Sequence, residues 1–170
     1  MKRVSDYLHH KAKVHSMILC TLLLAACGFQ LRGNYLLSPE LQTIYVSSVD
    51  QYGELTRIVK QHLIRNRVNV VKQFSDDLPQ MRILKDKLDR RTLSVFPNGQ
   101  VAEYELIYTV RYEILRANKE KQSFKFEINR NYQDDPNFAL AKSRELALML
   151  REMRLDAADK ILRSMASIQS

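Results

Sequence analysis

The chain has 170 residues, of which 45% are hydrophobic and 27% are charged, and its formal net charge is +8. This length suits one compact domain and is too short for two ordinary ones. The composition is that of a folded globular protein, which excludes a largely disordered chain. The first 26 residues hold four basic residues and one acidic residue, which leaves +5 for residues 27–170. The folded part is therefore only moderately basic.

The N-terminus has the three-part layout of an export signal. Basic residues come first, the apolar run at 17–24 follows, and Ala25 and Ala26 precede a cysteine. The run is too short to span a membrane, which takes about 20 apolar residues. A start at Met17 would leave no basic residues before the run, so we take Met1 as the start. We predict that residues 1–26 are a cleaved signal peptide.

Cys27 is then the only cysteine of the mature chain, because Cys20 lies in the apolar run. A disulfide within the mature protein is therefore excluded. A free thiol is the alternative, although an exposed thiol in an oxidising compartment invites unwanted pairing. The run "LAAC" at 24–27 resembles a bacterial lipobox, whose cysteine carries S-diacylglycerol and an N-acyl chain. We predict this lipidation at Cys27, with residues 27–42 as an extended tether.

The first elements of the domain alternate between strand and helix patterns. Residues 43–49 are rich in β-branched and aromatic side chains, which predicts a strand. Between 53 and 66, apolar residues recur every three or four positions, which predicts an amphipathic helix. A short strand over 68–71 follows. Residues 76–88 enter another strand whose apolar parity shifts, which indicates a β-bulge or a bend.

The clearest turn signal is Asn98-Gly99, which predicts a hairpin with a type I′ turn, in which both central residues have positive φ. After it, polar and apolar residues alternate over 103–114, which predicts a strand with one buried and one largely solvated face. A charged turn at 118–122 precedes a further antiparallel strand. The helices are expected to cover an aromatic sheet face made of Tyr104, Tyr108, Tyr112, Phe124, Phe126 and Tyr132. The alternative is that this face binds a partner.

The C-terminal region predicts a long amphipathic helix. Asp135 and Pro136 fit its N-cap and first position, and apolar residues, including core-filling methionines, recur at helical spacing from Leu146 to Met165. The order of elements predicts an α+β fold, a two-layer sandwich with two α-helices packed on one face of a mostly antiparallel four- to five-stranded sheet. We take residues 43–170 as this single domain.

The mature chain lacks the residue sets that catalysis needs. His62 is the only histidine after residue 26, and no second histidine or cysteine accompanies it in the domain to hold a metal. The pairs Asp76-Asp77 and Asp134-Asp135 lie in turns, where capping accounts for them. We therefore predict no enzymatic activity, no cofactor and no metal. Nucleic-acid binding is disfavoured as well, because the aromatic residues lie mostly on the buried parity.

Three basic residues are candidates for binding an anion. Arg130, Lys142 and Arg144 lie around the turn into the C-terminal helix. Their charges are expected to converge near the helix N-terminus, where backbone donors favour a phosphate. A solvated charged turn is the alternative interpretation.

The chain resembles the LptE family of lipopolysaccharide-assembly lipoproteins of Gram-negative bacteria. Four stretches in order carry the resemblance: the lipobox with "CGFQLRG", "SVFPNGQVAEYELIYTV" at 94–110, "DDPNFALAKSRE" at 134–145, and "AADKILRSMASI" at 157–168. The resemblance covers essentially the whole mature chain. It implies a fold with two helices on a sheet, no catalysis, and a lipid-anchored location at the inner leaflet of the outer membrane.

The resemblance also implies partners. It implies that the protein plugs the lumen of the outer-membrane β-barrel LptD, assists assembly of that barrel and binds lipopolysaccharide. Lys142 matches a basic position that the family associates with lipopolysaccharide phosphates. Pro97 stands where another basic residue is expected, so Arg90, Arg91 or Arg130 would have to replace it. The alternative is a generic outer-membrane lipoprotein that acts as a scaffold or periplasmic chaperone without a role in lipopolysaccharide transport.

Overall fold

The computed structural model describes residues 37–168 and has the predicted α+β architecture. No helix within this range is long and apolar enough to cross a membrane. In chain order, the elements are a 3₁₀ helix at Pro39–Gln42, β1 at Thr43–Ser48, α1 at Glu54–Arg65, β2 at Asn69–Val71, β3 at Gln80–Val95, β4 at Val101–Leu115, β5 at Gln122–Gln133, a second 3₁₀ helix at Pro136–Phe138, and α2 at Ala139–Ala166.

The five strands form one mixed sheet in the order β2-β1-β3-β4-β5. The short strand β1 runs parallel to both of its neighbours. The long ladders between β3, β4 and β5 are antiparallel, so the prediction of a mostly antiparallel sheet is confirmed. The pairing of β1 with β3 ends at Ser48 and Ile83. Beyond that point, β4 is the only strand among residues 37–168 that pairs with β3.

Both helices pack on one face of the sheet, as predicted. The buried side chains of α1 and α2 join those of the strands in one hydrophobic cluster. Burial of each large apolar side chain contributes about 1.5–3 kcal/mol. The predicted core methionines Met153 and Met165 are fully buried. The β4 residues on this face are Leu106, Tyr108, Val110, Tyr112 and Ile114, and Tyr132 of β5 lies on it too.

Residues 37–42 belong to the folded domain, whereas the sequence predicted an extended tether up to residue 42. The segment forms the first 3₁₀ helix, and Leu37 and Leu41 are buried in the core. The side chain of Glu40 is 3.3 Å from Arg116 and 3.1 Å from Lys119, which fixes the helix to the turn after β4. The hydrogen bond from Lys119 lowers the pKa of Glu40. Cys27 and the remaining predicted tether lie outside the described residues.

The predicted bulge is present in β3. The register between β3 and β4 shifts between Ile83 and Lys85, so that Leu84 is inserted. The strand that the sequence predicted within 76–88 continues to the hairpin turn as one strand of 16 residues, Gln80–Val95. Charged side chains at 89–91 do not interrupt it, because the paired strand β4 supplies backbone partners throughout.

The β3–β4 turn differs from the predicted type I′. Among the described residues with a positive φ, Gly99 is present at 82° but Asn98 is absent. The N–H of Gly99 donates to the carbonyl of Phe96 at 2.9 Å, and the N–H of Phe96 donates to the carbonyl of Gln100 at 2.7 Å. Pro97 takes the second turn position, where its fixed φ favours a type I turn followed by a left-handed glycine.

The start of α2 lies three residues later than Asp135 and Pro136 indicated. Asp135 caps the second 3₁₀ helix instead, accepting a hydrogen bond from the N–H of Asn137 at 2.9 Å. Pro136 is the first residue of that short helix. The sequence signal for an N-terminus is therefore correct in kind, but it marks the 3₁₀ turn that leads into α2.

The second face of β4 is less solvated than the alternation predicted. Thr109 and Glu113 are buried on it. Glu113 receives the ammonium of Lys121 at 3.0 Å and the hydroxyl of Ser123 at 3.3 Å, both from β5 or the turn before it. The hydrogen bond from Lys121 lowers the pKa of Glu113. Contacts between side chains of neighbouring strands therefore shield part of this face from water, although the alternation predicted a largely solvated face.

We predict that the stability of the folded domain depends on pH because of His62. Its Nε2 is buried without a hydrogen-bond partner among residues 37–168, and desolvation lowers the pKa below the ordinary value of 6.5. Because the unfolded chain then binds the proton more readily than the folded one, stability is expected to fall as the pH drops below about 6.5. In urea unfolding between pH 7 and pH 5, His62→Gln should lose less stability than the unaltered protein; equal losses would contradict this.

Candidate functional site

Lys142 is held in a defined place in the first turn of α2. Its Nζ is 2.9 Å from Oε2 of Glu145 and 5.5 Å from the centre of the Tyr132 ring. The hydroxyl of Tyr132 donates to the carbonyl oxygen of Lys142 at 2.9 Å, which joins β5 to the helix. The hydrogen bond to Glu145 raises the pKa of Lys142. The ammonium therefore stays charged at neutral pH, beside an aromatic ring.

Arg90 completes a basic-aromatic cluster with Lys142. Its guanidinium carbon lies 5.9 Å from the centre of the Tyr104 ring. Tyr104 is paired across the sheet with Tyr132, so the two rings lie side by side on the helix-bearing face. Desolvation raises the pKa of Tyr132, and the cations of Lys142 and Arg90 oppose that shift. We call Arg90, Tyr104, Tyr132 and Lys142 the basic-aromatic cluster.

The predicted convergence of Arg130, Lys142 and Arg144 is wrong in its geometry. The guanidinium of Arg130 is bound to Asp156 at 2.6 Å. Asp156 is about 21 Å along α2 from Lys142, at 1.5 Å per residue. Arg144 is exposed and lies about 200° around the helix from Lys142. Of the three, only Lys142 belongs to the cluster, and a binding role for Arg130 or Arg144 stays a prediction.

The two other arginines named as replacements at the turn have different positions. Arg90 reaches the cluster, whereas Arg91 lies on the opposite face of β3. There Arg91 forms an ion pair with Glu105. The separation follows from the alternation of side chains along a strand. Pro97 itself lies in the exposed hairpin turn.

A cavity of about 380 Å³ joins the "NGQ" hairpin to the start of α2. Its polar lining residues include Lys142 and three carboxylates, those of Glu103, Asp134 and Asp135. Phe96 of the hairpin lines it as well. Two stretches that are far apart in the sequence therefore meet at one end of the domain. The carboxylates make the cavity unfavourable for an anion, so an anion would approach Lys142 from the side of Arg90 and the tyrosines.

Apolar side chains are exposed at the same end of the domain. Phe138 and Leu140, at the start of α2, are 65% and 72% exposed. Leu93, Val95 and Phe96 of the hairpin are exposed as well. Large apolar groups beside fixed cations are typical of a surface that binds an amphiphilic molecule or a protein partner.

The position of Arg90 in the basic-aromatic cluster was not predicted from the sequence. The charge pattern alone gave no reason to place it opposite Tyr104 and Tyr132. A count of residues back from the observed turn leads to this position, because the two register shifts near Leu93 cancel between Val95, opposite Val101, and Thr92, opposite Tyr104. Across residues 37–168, no group of three or more His, Cys, Asp or Glu side chains is arranged to hold a metal ion.

Comparisons with known proteins identify the family. The profile of the family described as "LptE: Lipopolysaccharide-assembly" matches residues 41–165. The chain is 34% identical over 164 residues to "LPS-assembly lipoprotein LptE" of Yersinia enterocolitica, with 96% of this chain and 79% of the relative covered. It is 34% identical to the protein of that name from Pectobacterium atrosepticum, with 88% and 82% covered.

Solved structures have the same fold. Rare lipoprotein B from Shewanella oneidensis superimposes with a TM-score of 0.68 at 52% identity, with 74% of this chain and 94% of that chain covered. A lipoprotein B from Nitrosomonas europaea has a TM-score of 0.64 at 22% identity, with 82% and 91% covered, which supports the fold alone. From the family match and the curated relatives, this chain belongs to the LptE family of lipopolysaccharide-assembly proteins.

Proposed function

We propose that this protein takes part in the assembly of lipopolysaccharide at the outer membrane as a non-enzymatic lipoprotein. The observation that carries the proposal is the identity of 34% to relatives named LPS-assembly lipoprotein LptE, extending over 96% of the chain. Cys27 is the proposed lipidation site, and the lipid holds the domain at the inner leaflet of the outer membrane. The proposed protein partner is the β-barrel LptD, which the domain enters as a plug and helps to assemble.

The geometry of the basic-aromatic cluster supports contact with lipopolysaccharide. Lipopolysaccharide carries phosphates, sugars and acyl chains. Lys142 and Arg90 offer two cations on either side of two tyrosine rings, and these groups suit phosphate and sugar. The exposed apolar residues Phe138 and Leu140 lie at the same end. We propose that a phosphate of lipopolysaccharide binds between Lys142 and Arg90.

A pull-down from detergent-solubilised membranes tests the protein partner. With an affinity tag at the C-terminus, we expect a β-barrel protein to be recovered in stoichiometric amount and to be identified as LptD by mass spectrometry. Depletion of the protein should also lower lipopolysaccharide at the cell surface. A normal surface level and a pull-down without a barrel would instead favour a generic scaffold or chaperone.

Substitutions of Lys142 and of Glu145 should change lipopolysaccharide binding in opposite directions. Lys142→Ala removes a charge-assisted contact and should weaken binding about tenfold at low salt. Glu145→Gln should strengthen binding, because the neutral amide no longer competes with a phosphate for the ammonium of Lys142, 2.9 Å away. Both differences should shrink as salt is added. Binding is measured by fluorescence titration of purified lipopolysaccharide.

Arg144→Ala is the matched control for that experiment. It removes the same charge from the same helix but on the side away from Tyr132, so binding should change less than about twofold. If Arg144→Ala weakens binding as much as Lys142→Ala does, the attraction is general and the basic-aromatic cluster is not the site.

A further inference from the structure

A long stretch of β3 has an unpaired edge in the middle of the sheet. The last backbone hydrogen bond on its β1 side runs from the N–H of Val49 to the carbonyl of Ile83, at 3.1 Å. From Lys85 to Val95, β3 pairs with β4 on one side only. Within the described part of the chain, no backbone group hydrogen-bonds to this stretch from the other side. We call residues 85–95 the open edge.

The backbone groups that point outward along the open edge can be assigned from the register. Ile83 points toward β1, because its carbonyl accepts from Val49. Its partner on β4 is Tyr112, whose backbone therefore points toward β5. The same alternation makes Asp86, opposite Val110, point outward, and Leu88, Arg90 and Thr92 follow it at every second residue. Their N–H and C=O groups form a regular template for another strand.

The side chains along the open edge change from its base, which is the end next to β1, to its tip, which is the end next to the β3–β4 turn. At the base, Lys85 and Lys87 project on the face away from the helices, and Lys87 is 2.6 Å from Asp89. At the tip, Leu93 and Val95 are 44% and 58% exposed. Charged residues, which protect an edge from pairing, occupy most positions from 85 to 91 and are absent from 92–95. The tip leaves apolar surface beside unpaired backbone, which is the usual condition for strand addition.

A second copy of this chain fits the open edge poorly. If two β3 strands paired antiparallel with Leu88 opposite Leu88, the hairpin of each copy would run past Ile83 into the space that β1 occupies. A shift of the centre to Arg90 reduces that overlap to the turn residues but sets Arg90 opposite Arg90 of the other copy, which is unfavourable. An extended segment that ends before β1 meets neither obstacle.

We propose that the open edge binds an extended segment of a protein partner as a sixth strand. The chemistry of the edge defines the segment: acidic side chains opposite Lys85 and Lys87, and β-branched or apolar side chains beside Leu93 and Val95. The added strand lies antiparallel to β3 and hydrogen-bonds to the outward backbone groups of Leu88 and Thr92. This interaction is separate from phosphate binding at Lys142.

A synthetic peptide tests the proposal on the whole domain. The probe is an extended peptide of about nine residues, with Val and Thr at the end that meets the tip and Glu opposite the lysines. We expect saturable binding in a fluorescence anisotropy titration. The same peptide with N-methyl groups on alternate amides keeps its side chains but loses its inward-pointing donors. It should bind about tenfold more weakly, because each backbone hydrogen bond contributes about 1 kcal/mol.

Two proline variants test whether the peptide binds at the open edge of β3. Thr92→Pro removes an outward N–H from the open edge without removing a bond to β4, and it should weaken peptide binding about tenfold. Asn131→Pro makes the same change on the outer edge of β5 and should leave binding unaltered. Circular dichroism and the urea midpoint of each variant confirm that it is folded.

The outcomes separate the possibilities. Equal binding of the methylated and unmethylated peptides, or a loss on Asn131→Pro equal to that on Thr92→Pro, overturns the proposal. Absence of saturable binding by the unmethylated peptide overturns it as well. Sedimentation analysis that shows a dimer of the unaltered protein, abolished by Thr92→Pro, would assign the edge to a second copy instead. Failure of the barrel pull-down bears on the proposed function and leaves the peptide result unchanged.

Discussion

Leu41→Ala should destabilise the domain by about 3 kcal/mol. The side chain is fully buried in the 3₁₀ helix that precedes β1, and replacement of a core leucine by alanine costs about 2–5 kcal/mol through lost burial and the cavity left behind. The same substitution in an extended tether would cost almost nothing. The free energy of unfolding, measured by urea denaturation of the unlipidated chain, therefore decides where the folded domain begins.

Gln42→Ala is the matched control for Leu41→Ala. The two residues are neighbours in the same 3₁₀ helix, but Gln42 is exposed. Its substitution should change the free energy of unfolding by less than about 0.5 kcal/mol. If Leu41→Ala also falls within that range, residues 37–42 do not contribute to the core.

The periodic elements of the fold could be predicted from the sequence, because the spacing of their apolar residues along the chain shows which face is buried. The alternation at 103–114 and the three-to-four spacing of α1 each follow from one buried face. The 3₁₀ helix at Pro39–Gln42 has no such period. It is held by Leu41 in the core and by Glu40 bound to Arg116. Contacts over such a distance in sequence leave no local pattern.

Turns were predictable in place but not always in type. Asn98-Gly99 correctly marks the reversal between β3 and β4. Pro97 occupies the second position of that turn, which the Asn-Gly dipeptide alone does not indicate. Asp135 and Pro136 likewise mark a helical start correctly, but it is the start of a short 3₁₀ helix. In both cases the residue type fixes a local dihedral preference, and the neighbouring residues decide which turn uses it.

The candidate site was only partly predictable, because charges that are close in sequence need not be close in space. Arg130 and Lys142 are near each other along the chain, but Arg130 binds Asp156 far along α2. Arg90 is distant in sequence and yet shares the tyrosine pair with Lys142. Only the register of the three antiparallel strands brings it there.

Carboxylates next to the cations change what the site can bind. Lys142 has Glu145 as its direct partner, and Glu103, Asp134 and Asp135 line the neighbouring cavity. A phosphate must therefore compete for the ammonium, and its approach is favourable only from the side of Arg90. We infer that this competition favours a multiply charged ligand over a single phosphate ion, because a second anionic group can engage Arg90 at the same time.

Cys27→Ala should remove the lipid anchor of the mature protein. Each buried acyl methylene contributes about 0.8 kcal/mol, and more than one acyl chain is needed for stable anchoring. Without the thiol, no diacylglyceryl group can be attached. In cells that produce the variant in excess over its proposed barrel partner, fractionation and immunoblotting should therefore show no membrane-bound protein of mature length. The variant should be found either as soluble protein or as a longer precursor that retains residues 1–26.

Cys20→Ala separates this effect from the loss of any cysteine. Cys20 lies inside the apolar run that export is predicted to remove, and alanine keeps that run apolar, so the variant should remain in the membrane fraction. Mass spectrometry of the mature N-terminus checks the chemistry directly, since the lipid mass is expected on Cys27 of the unaltered protein and of Cys20→Ala. A Cys27→Ala protein that stays in the pellet after an alkaline wash, at full mature length, would show that the lipid is not the anchor.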